Sequence, residues 1–181
     1  MAVALVGLPG AGKSAVGRRL AQRLQVSFID SDEVIERRLG CSIRDFFDRE
    51  GEESFRDIEE AVIADLATTA SGVVATGGGA VLRQANRRQL HAHFHVIYLR
   101  SSPEDLFRRL RHDIRRPLLQ VADPLGRLQE LHGVRDPLYR ETAHIVIETG
   151  RPSVAALTNI IVMQLELAGI KPSESPPDPA G

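Results

Sequence analysis

Five short runs of β-branched and apolar residues, at 2–6, 27–30, 72–76, 95–99 and 144–148, each predict a strand. Helical periodicity fills the gaps between them. Val16, Leu20 and Leu24 recur at steps of four, with Arg18, Arg19 and Arg23 on the opposite face. Ser102-Pro103-Glu104-Asp105 combines an N-cap, a proline at the first helical position and acids in the first turn. Residues 154–167 carry another apolar-rich helical pattern, and no internal repeat is visible. Strands alternating with helices predict an α/β fold, a parallel sheet covered on both faces. Residues 109–123 break this rhythm. They sustain no period, carry Arg115-Arg116-Pro117 and exceed an ordinary connection, which predicts a lid. Residues 171–181 hold four prolines among small and polar residues; they bury too little apolar area to offset ordering and predict a disordered tail.

Composition narrows the field. The 181 residues fit one domain, expected over 1–170. A net charge of −1 gives no overall electrostatic footprint for nucleic acid. No apolar run is long enough for a membrane span and the N-terminus lacks the basic start of a secretory signal, so the expected location is the cytoplasm, without membrane partners. A single cysteine, Cys41, forbids an internal disulfide or a cysteine-built zinc site and fits a reducing compartment. Of 23 basic residues only Lys13 and Lys171 are lysine, so position 13 points to a site that needs a compact ammonium.

That lysine lies in the strongest motif. Gly7-Leu8-Pro9-Gly10-Ala11-Gly12-Lys13-Ser14 fits G-x-x-x-x-G-K-[ST], between the first predicted strand and the first predicted helix. Glycines let main-chain N–H groups turn onto phosphate oxygens, and the helix N-terminus adds its positive end. Gly10, Ala11, Gly12, Lys13, Ser14 and Ala15 are therefore the expected nucleotide contacts, with Lys13 on the terminal phosphates and the Ser14 hydroxyl available to Mg²⁺. A P-loop establishes nucleotide binding more firmly than any reaction.

The acceptor side must be read elsewhere. Asp30-Ser31-Asp32 ends the second strand, and Gly77-Gly78-Gly79 follows the third; in a parallel sheet, ligands bind outside such carboxyl ends. Extended geometry continued through Asp32 places both aspartates on one side, Asp30 toward Mg²⁺ and Asp32 toward an acceptor hydroxyl, whose proton it can take. Asp32 is equally a candidate helix cap, and the glycines a tight turn. Arg56 can be a solvated helix cation flanked by Glu52 and Glu60, and Arg135 a helix-end cation. Arg100, Arg108, Arg109, Arg111, Arg115 and Arg116 form a basic stretch without aromatic interleaving, against nucleic-acid stacking. Within a lid, Arg116 can swing onto the transferring phosphoryl group. His91, His93 and His95 share a face if extended, a zinc-like pattern with no carboxylate to orient it.

The assembled pattern resembles the shikimate kinase family. The likeness rests on the P-loop, Asp30-Ser31-Asp32 with Ile35-Glu36, Gly40-Cys41-Ser42-Ile43, Phe47, Gly51-Glu52, Phe55-Arg56, Gly77-Gly78-Gly79-Ala80, Arg116-Pro117-Leu118-Leu119 and Arg135-Asp136-Pro137-Leu138-Tyr139, in that order. It implies a three-layer αβα P-loop NTPase fold like that of nucleoside monophosphate kinases, its five parallel strands ordered 2-3-1-4-5. A substrate-binding region at about 31–60 and a lid at about 109–123 go with it. The resemblance further implies Asp32, Arg56, Gly77, Gly78, Gly79 and Arg135 on shikimate, Lys13, Ser14 and Asp30 on phosphates and one Mg²⁺, Arg116 on ATP, and Arg109 near adenine. The chain has Arg151-Pro152-Ser153 where the family commonly carries Arg-Ser-Pro, and Arg151 is the candidate there. The implied reaction moves the ATP γ-phosphoryl group to the 3-hydroxyl of shikimate, in aromatic amino-acid biosynthesis, by a monomer. Arginine forks suit a carboxylate and an aspartate suits hydroxyls. A gluconate-type kinase and a nucleotide-gated, non-catalytic module share the P-loop; the arginine pair and three glycines weigh against the first, and Asp30, Asp32 and Arg116 against the second.

Overall fold

The computed structural model describes residues 1–111 and 121–172. Five strands, β1 (Ala2–Val6), β2 (Phe28–Asp30), β3 (Val73–Ala75), β4 (Phe94–Arg100) and β5 (Ile145–Glu148), form one sheet ordered β2-β3-β1-β4-β5. Every pairing is parallel. β1 lies at the centre and is fully apolar, because both its faces are covered. Its side chains alternate: Ala2, Ala4 and Val6 enter one core, Val3 and Leu5 the other.

The second core is closed by α1 (Lys13–Leu24) and α7 (Val154–Leu167), through Val16, Leu20, Leu157, Ile161 and Leu165. The first is closed by α2 (Ser31–Leu39), α3 (Ile43–Thr69), α4 (Gln84–His93), α5 (Pro103–Leu110) and α6 (Pro124–Thr142). Three layers result, the P-loop NTPase arrangement. From β1 the chain moves to β2 and β3 on one side and later to β4 on the other. The crevice where neighbouring connections diverge therefore opens beside the carboxyl end of β1, where the first glycine turn lies. Among the described residues no helix is long and apolar enough to cross a membrane.

Several local expectations are corrected. The Ser102 side chain caps α5 by accepting from the Asp105 amide, with Pro103 at the first position, and α5 runs to Leu110, so Arg109 is helical. Residues 112–120, with Arg116, and 173–181 of the expected tail lie outside the described residues. The three histidines do not share an extended face. His91 and His93 end α4, whose C-cap is Phe94, and only His95 is on β4. His144, ahead of β5, instead stacks between His91 and His95, with ring centroids 4.1 and 5.1 Å away. Its Nδ1 accepts the Val96 amide at 2.9 Å. Burial lowers the pKa of His95 and His144, and for His144 the other two rings lower it further. α3 is a helix broken at Gly51, whose φ of 84° no side chain readily adopts.

Candidate active site

The loop from β1 to α1 folds around its own lysine. Lys13 is buried, and its Nζ donates to the Gly7 and Leu8 carbonyls at 2.7 and 2.9 Å, tying the ends of the loop together. Gly12 caps α1 at φ 94°, a left-handed conformation with no capping side chain, and no acid occupies the first turn. The positive end of α1 is thus left to a cavity of about 440 Å³, a size suited to a small ligand. Gly10, Gly12, Lys13, Ser14 and Ala15 line it. Ala11 does not: its side chain packs in the core and its N–H donates to the Leu8 carbonyl at 3.1 Å.

Asp30 and Asp32 line the same cavity, though by another route than strand alternation. The helix begins at Ser31, so Asp30 is the cap: one carboxylate oxygen accepts the Asp32 amide at 2.9 Å and the other accepts the Ser14 hydroxyl at 3.0 Å. Asp32 then stands in the first turn with its carboxylate unspent on capping. Burial, with the charges of Asp30 and Glu59 behind it, pushes its pKa up to about 6, and Lys13 opposes the rise.

The glycine run forms the wall facing these groups. A Cβ on Gly77 would come within 2.6 Å of the Asp32 carboxylate, one on Gly78 within 2.6 Å of the Pro9 ring, and one on Gly79 within 2.4 Å of the Arg56 guanidinium. Close approach, more than a turn, is what these positions require. Arg56 is not a solvated cation. Its side chain is 11% exposed and pairs with Glu59, three residues on, at 2.9 Å, with a looser contact to Glu52 at 3.4 Å. Glu59 is 2% exposed; burial raises its pKa, while Arg56 and Arg135 hold it down. Arg135 is not at a helix end either. α6 continues through Pro137 to Thr142 because Asp136 fastens the segment to β4, accepting from the Tyr98 hydroxyl at 2.7 Å and the Arg100 Nε at 3.3 Å.

A second cavity, of about 580 Å³, lies on the other flank of the loop. Arg108, Arg109, Gly150 and Arg151 line it with Ser102 and Asp105, and Arg109 donates to the Thr149 carbonyl at 2.6 Å. Leu110, next to Arg109, sits against Gly10 of the P-loop. Ser153, displaced by Pro152, caps α7 by accepting the Ala156 amide at 3.2 Å.

Sequence reasoning missed Glu59, Arg18, Thr76 and Pro9, all of which line the first cavity or brace its wall. Glu59 had a legible signal, its i+3 spacing from Arg56; the others had none beyond their neighbourhood. No cluster of three or more metal-ligating side chains occurs among the described residues. The Ser14–Asp30 pair is nonetheless a set of two hard oxygens, which suits Mg²⁺, an ion that completes its shell with water and phosphate.

A phosphate-binding loop that shares a cavity with a carboxylate titrating near neutrality defines a P-loop phosphotransferase, with a place for donor and acceptor side by side. Comparison with known proteins narrows this class. The shikimate kinase family model matches residues 9–166. The shikimate kinase of Paracidovorax citrulli is 59% identical over 175 residues, covering 95% of this chain and 96% of that one; that of Ralstonia nicotianae is 56% identical over 168 residues, 93% and 88%. Among solved structures, shikimate kinase from Acinetobacter baumannii in complex with shikimate superposes with a TM-score of 0.86 at 43% identity, covering 93% of each chain. The Aquifex aeolicus shikimate kinase gives 0.81 at 29% identity, covering 94% of this chain and 99% of that one. The chain belongs to the shikimate kinase family, ATP-dependent phosphotransferases with an alcohol acceptor.

Proposed function

We propose that the chain transfers the γ-phosphoryl group of ATP to the 3-hydroxyl of shikimate, giving shikimate 3-phosphate and ADP, within aromatic amino-acid biosynthesis. The observation that carries this reading is Asp32, with its pKa pushed up to about 6, in the cavity of the P-loop. Asp32 orients the acceptor hydroxyl and takes its proton as the new O–P bond forms and the bond to the β–γ bridging oxygen breaks. Its raised pKa matches a base that must be ionised at neutral pH yet bind the proton it receives.

Gly10, Gly12, Ser14 and Ala15 hold the phosphates by main-chain N–H groups, and Lys13 follows the charge that develops on the transferring group. Ser14 and Asp30 would hold one Mg²⁺, which supplies charge neutralisation to the phosphate oxygens. Arg56 and Arg135 grip the substrate carboxylate, with Gly77, Gly78 and Gly79 permitting its approach to the main chain. Buried Glu59 aims Arg56. Arg109 and Arg151 flank the base of ATP in the second cavity, and Arg116 contacts the phosphates as part of the lid expected at about 109–123. Residues 1–170 act as one kinase domain, with 31–60 as its substrate region, in a cytoplasmic monomer.

An assay coupling ADP release to product analysis tests the assignment with shikimate, gluconate and no acceptor. Shikimate-dependent ADP release matched by equimolar shikimate 3-phosphate is expected. Preferred turnover of gluconate, or ADP release indifferent to any acceptor, would overturn it.

A further inference from the structure

Tyr139 is fully buried in α6, yet its hydroxyl serves no helix bond. It donates to the Gly78 carbonyl at 2.5 Å, across 61 residues of sequence. The Arg135 guanidinium, one turn earlier, lies against the same hydroxyl: burial pushes the phenol pKa up to about 12, and Arg135 opposes the rise by charge and by hydrogen bonding. A phenol has one proton to give and lone pairs to accept with, so the oxygen can hold both partners at once. The ring is fixed in turn by Tyr98, with centroids 4.9 Å apart. On its other flank Gly78 sits against Pro9 of the P-loop, while Gly77 and Gly79 sit against Asp32 and Arg56.

We infer that Tyr139 is a positioning residue for the acceptor: its hydroxyl pins the 77–79 wall against the P-loop and sets Arg135 relative to that wall. The inference rests on the acceptor-site reading given above. Fixing the Gly78 carbonyl fixes the plane of the Gly78–Gly79 peptide, and with it the direction of the Gly79 N–H. Without the hydroxyl, the half-buried carbonyl loses its partner and the loop gains an incentive to turn. The nucleotide side is held separately, by Lys13 on the Gly7 and Leu8 carbonyls. The lesion should therefore fall on acceptor binding alone.

Tyr139→Phe, which keeps the ring, tests this with steady-state kinetics and amide hydrogen exchange on the full chain. The shikimate KM should rise about tenfold, with the ATP KM within about twofold and kcat within about threefold of wild type. Exchange should quicken at 77–82 and stay unchanged at 9–15. Leu128→Ala, a packing lesion in the same helix, should lower Tm and leave the shikimate KM in place. An unchanged shikimate KM and unchanged exchange in Tyr139→Phe, or an equal KM rise in Leu128→Ala, overturns the assignment. Wild-type protein that fails to turn over shikimate overturns the acceptor reading instead, and the exchange experiment still decides whether Tyr139 pins the wall.

Discussion

The two rims of the sheet bury ionisable groups under the same physical pressure and obtain opposite outcomes. At the carboxyl rim, burial raises the pKa of Asp32 to about 6, leaving a carboxylate ready to exchange a proton. At the amino rim, burial lowers the pKa of His95 and His144, whose rings stack with each other and, through His144, with His91. Desolvation disfavours charge in both places; what differs is what lies beside the group. Asp32 faces Lys13 and a cavity of about 440 Å³. His144 faces two more imidazoles. A reactive group needs burial together with a cavity and a counter-charge, and Asp32 has all three.

The largest expected effect tests the reactive rim. Asp32→Asn should lower kcat by about 10³ while ATP affinity holds, because the P-loop is untouched; near-normal turnover would remove Asp32 as the base. The same substitution should stabilise the protein at pH 8. A carboxylate whose folded pKa lies above its unfolded value destabilises the fold when ionised, by about 1–2 kcal/mol after allowance for its partial exposure. A lower Tm for Asp32→Asn at pH 8 would contradict that. Lys13→Ala should cost about 10² in kcat/KM through lost stabilisation of developing charge, and unchanged kinetics would leave the ammonium without a role.

A smaller effect separates pairing from burial. Glu59→Gln leaves Arg56 with a neutral partner, and should raise the shikimate KM about tenfold with ATP KM unaltered. In wild type, kcat/KM for shikimate should fall as pH drops through about 6, the value for ionised Asp32, and a flat profile from pH 8 to 5 would break the link.

The smallest effect concerns the inert rim. His95 and His144 have folded pKa values below the unfolded value of about 6.5, so their contribution is complete above about pH 7 and is lost as pH falls below 6.5. Asp32 acts in the opposite sense, since its cost above pH 6 is relieved as pH falls toward 4. His144→Asn, which can keep the Val96 amide satisfied, should flatten the fall of Tm between pH 7.5 and 5.5 by a few degrees and leave kcat within twofold. An unaltered slope would show the stack to be electrostatically idle.

Much of the carboxyl rim was legible in the chain because its chemistry is local. The P-loop is eight consecutive residues, and Asp30 and Asp32 follow a strand directly. The five strands were each found within a residue or two, since apolar runs bounded by polar residues survive any packing. What stayed hidden depends on contacts between distant segments. Glu59 follows Ile58 and precedes Glu60 in a helix that reads as solvated, and only its approach to Arg56 and Arg135 makes it an internal acid. Tyr139 looks like a core aromatic until Gly78, 61 residues earlier, meets its hydroxyl. The histidine trio misled because alternation marks a strand only if the backbone is extended, and α4 persists to His93. Arg135 was hard to place because proline usually stops a helix, whereas here Asp136 anchors the turn that contains it.

The enclosed Lys13 has a practical corollary. With only one other lysine, at position 171, the chain offers amine-directed acylating reagents almost no competing targets. Covalent labelling followed by peptide mass mapping should therefore report opening of the glycine turn against a background of Lys171 and the α-amine, because the buried amine becomes reachable only when its bonds to the Gly7 and Leu8 carbonyls are broken.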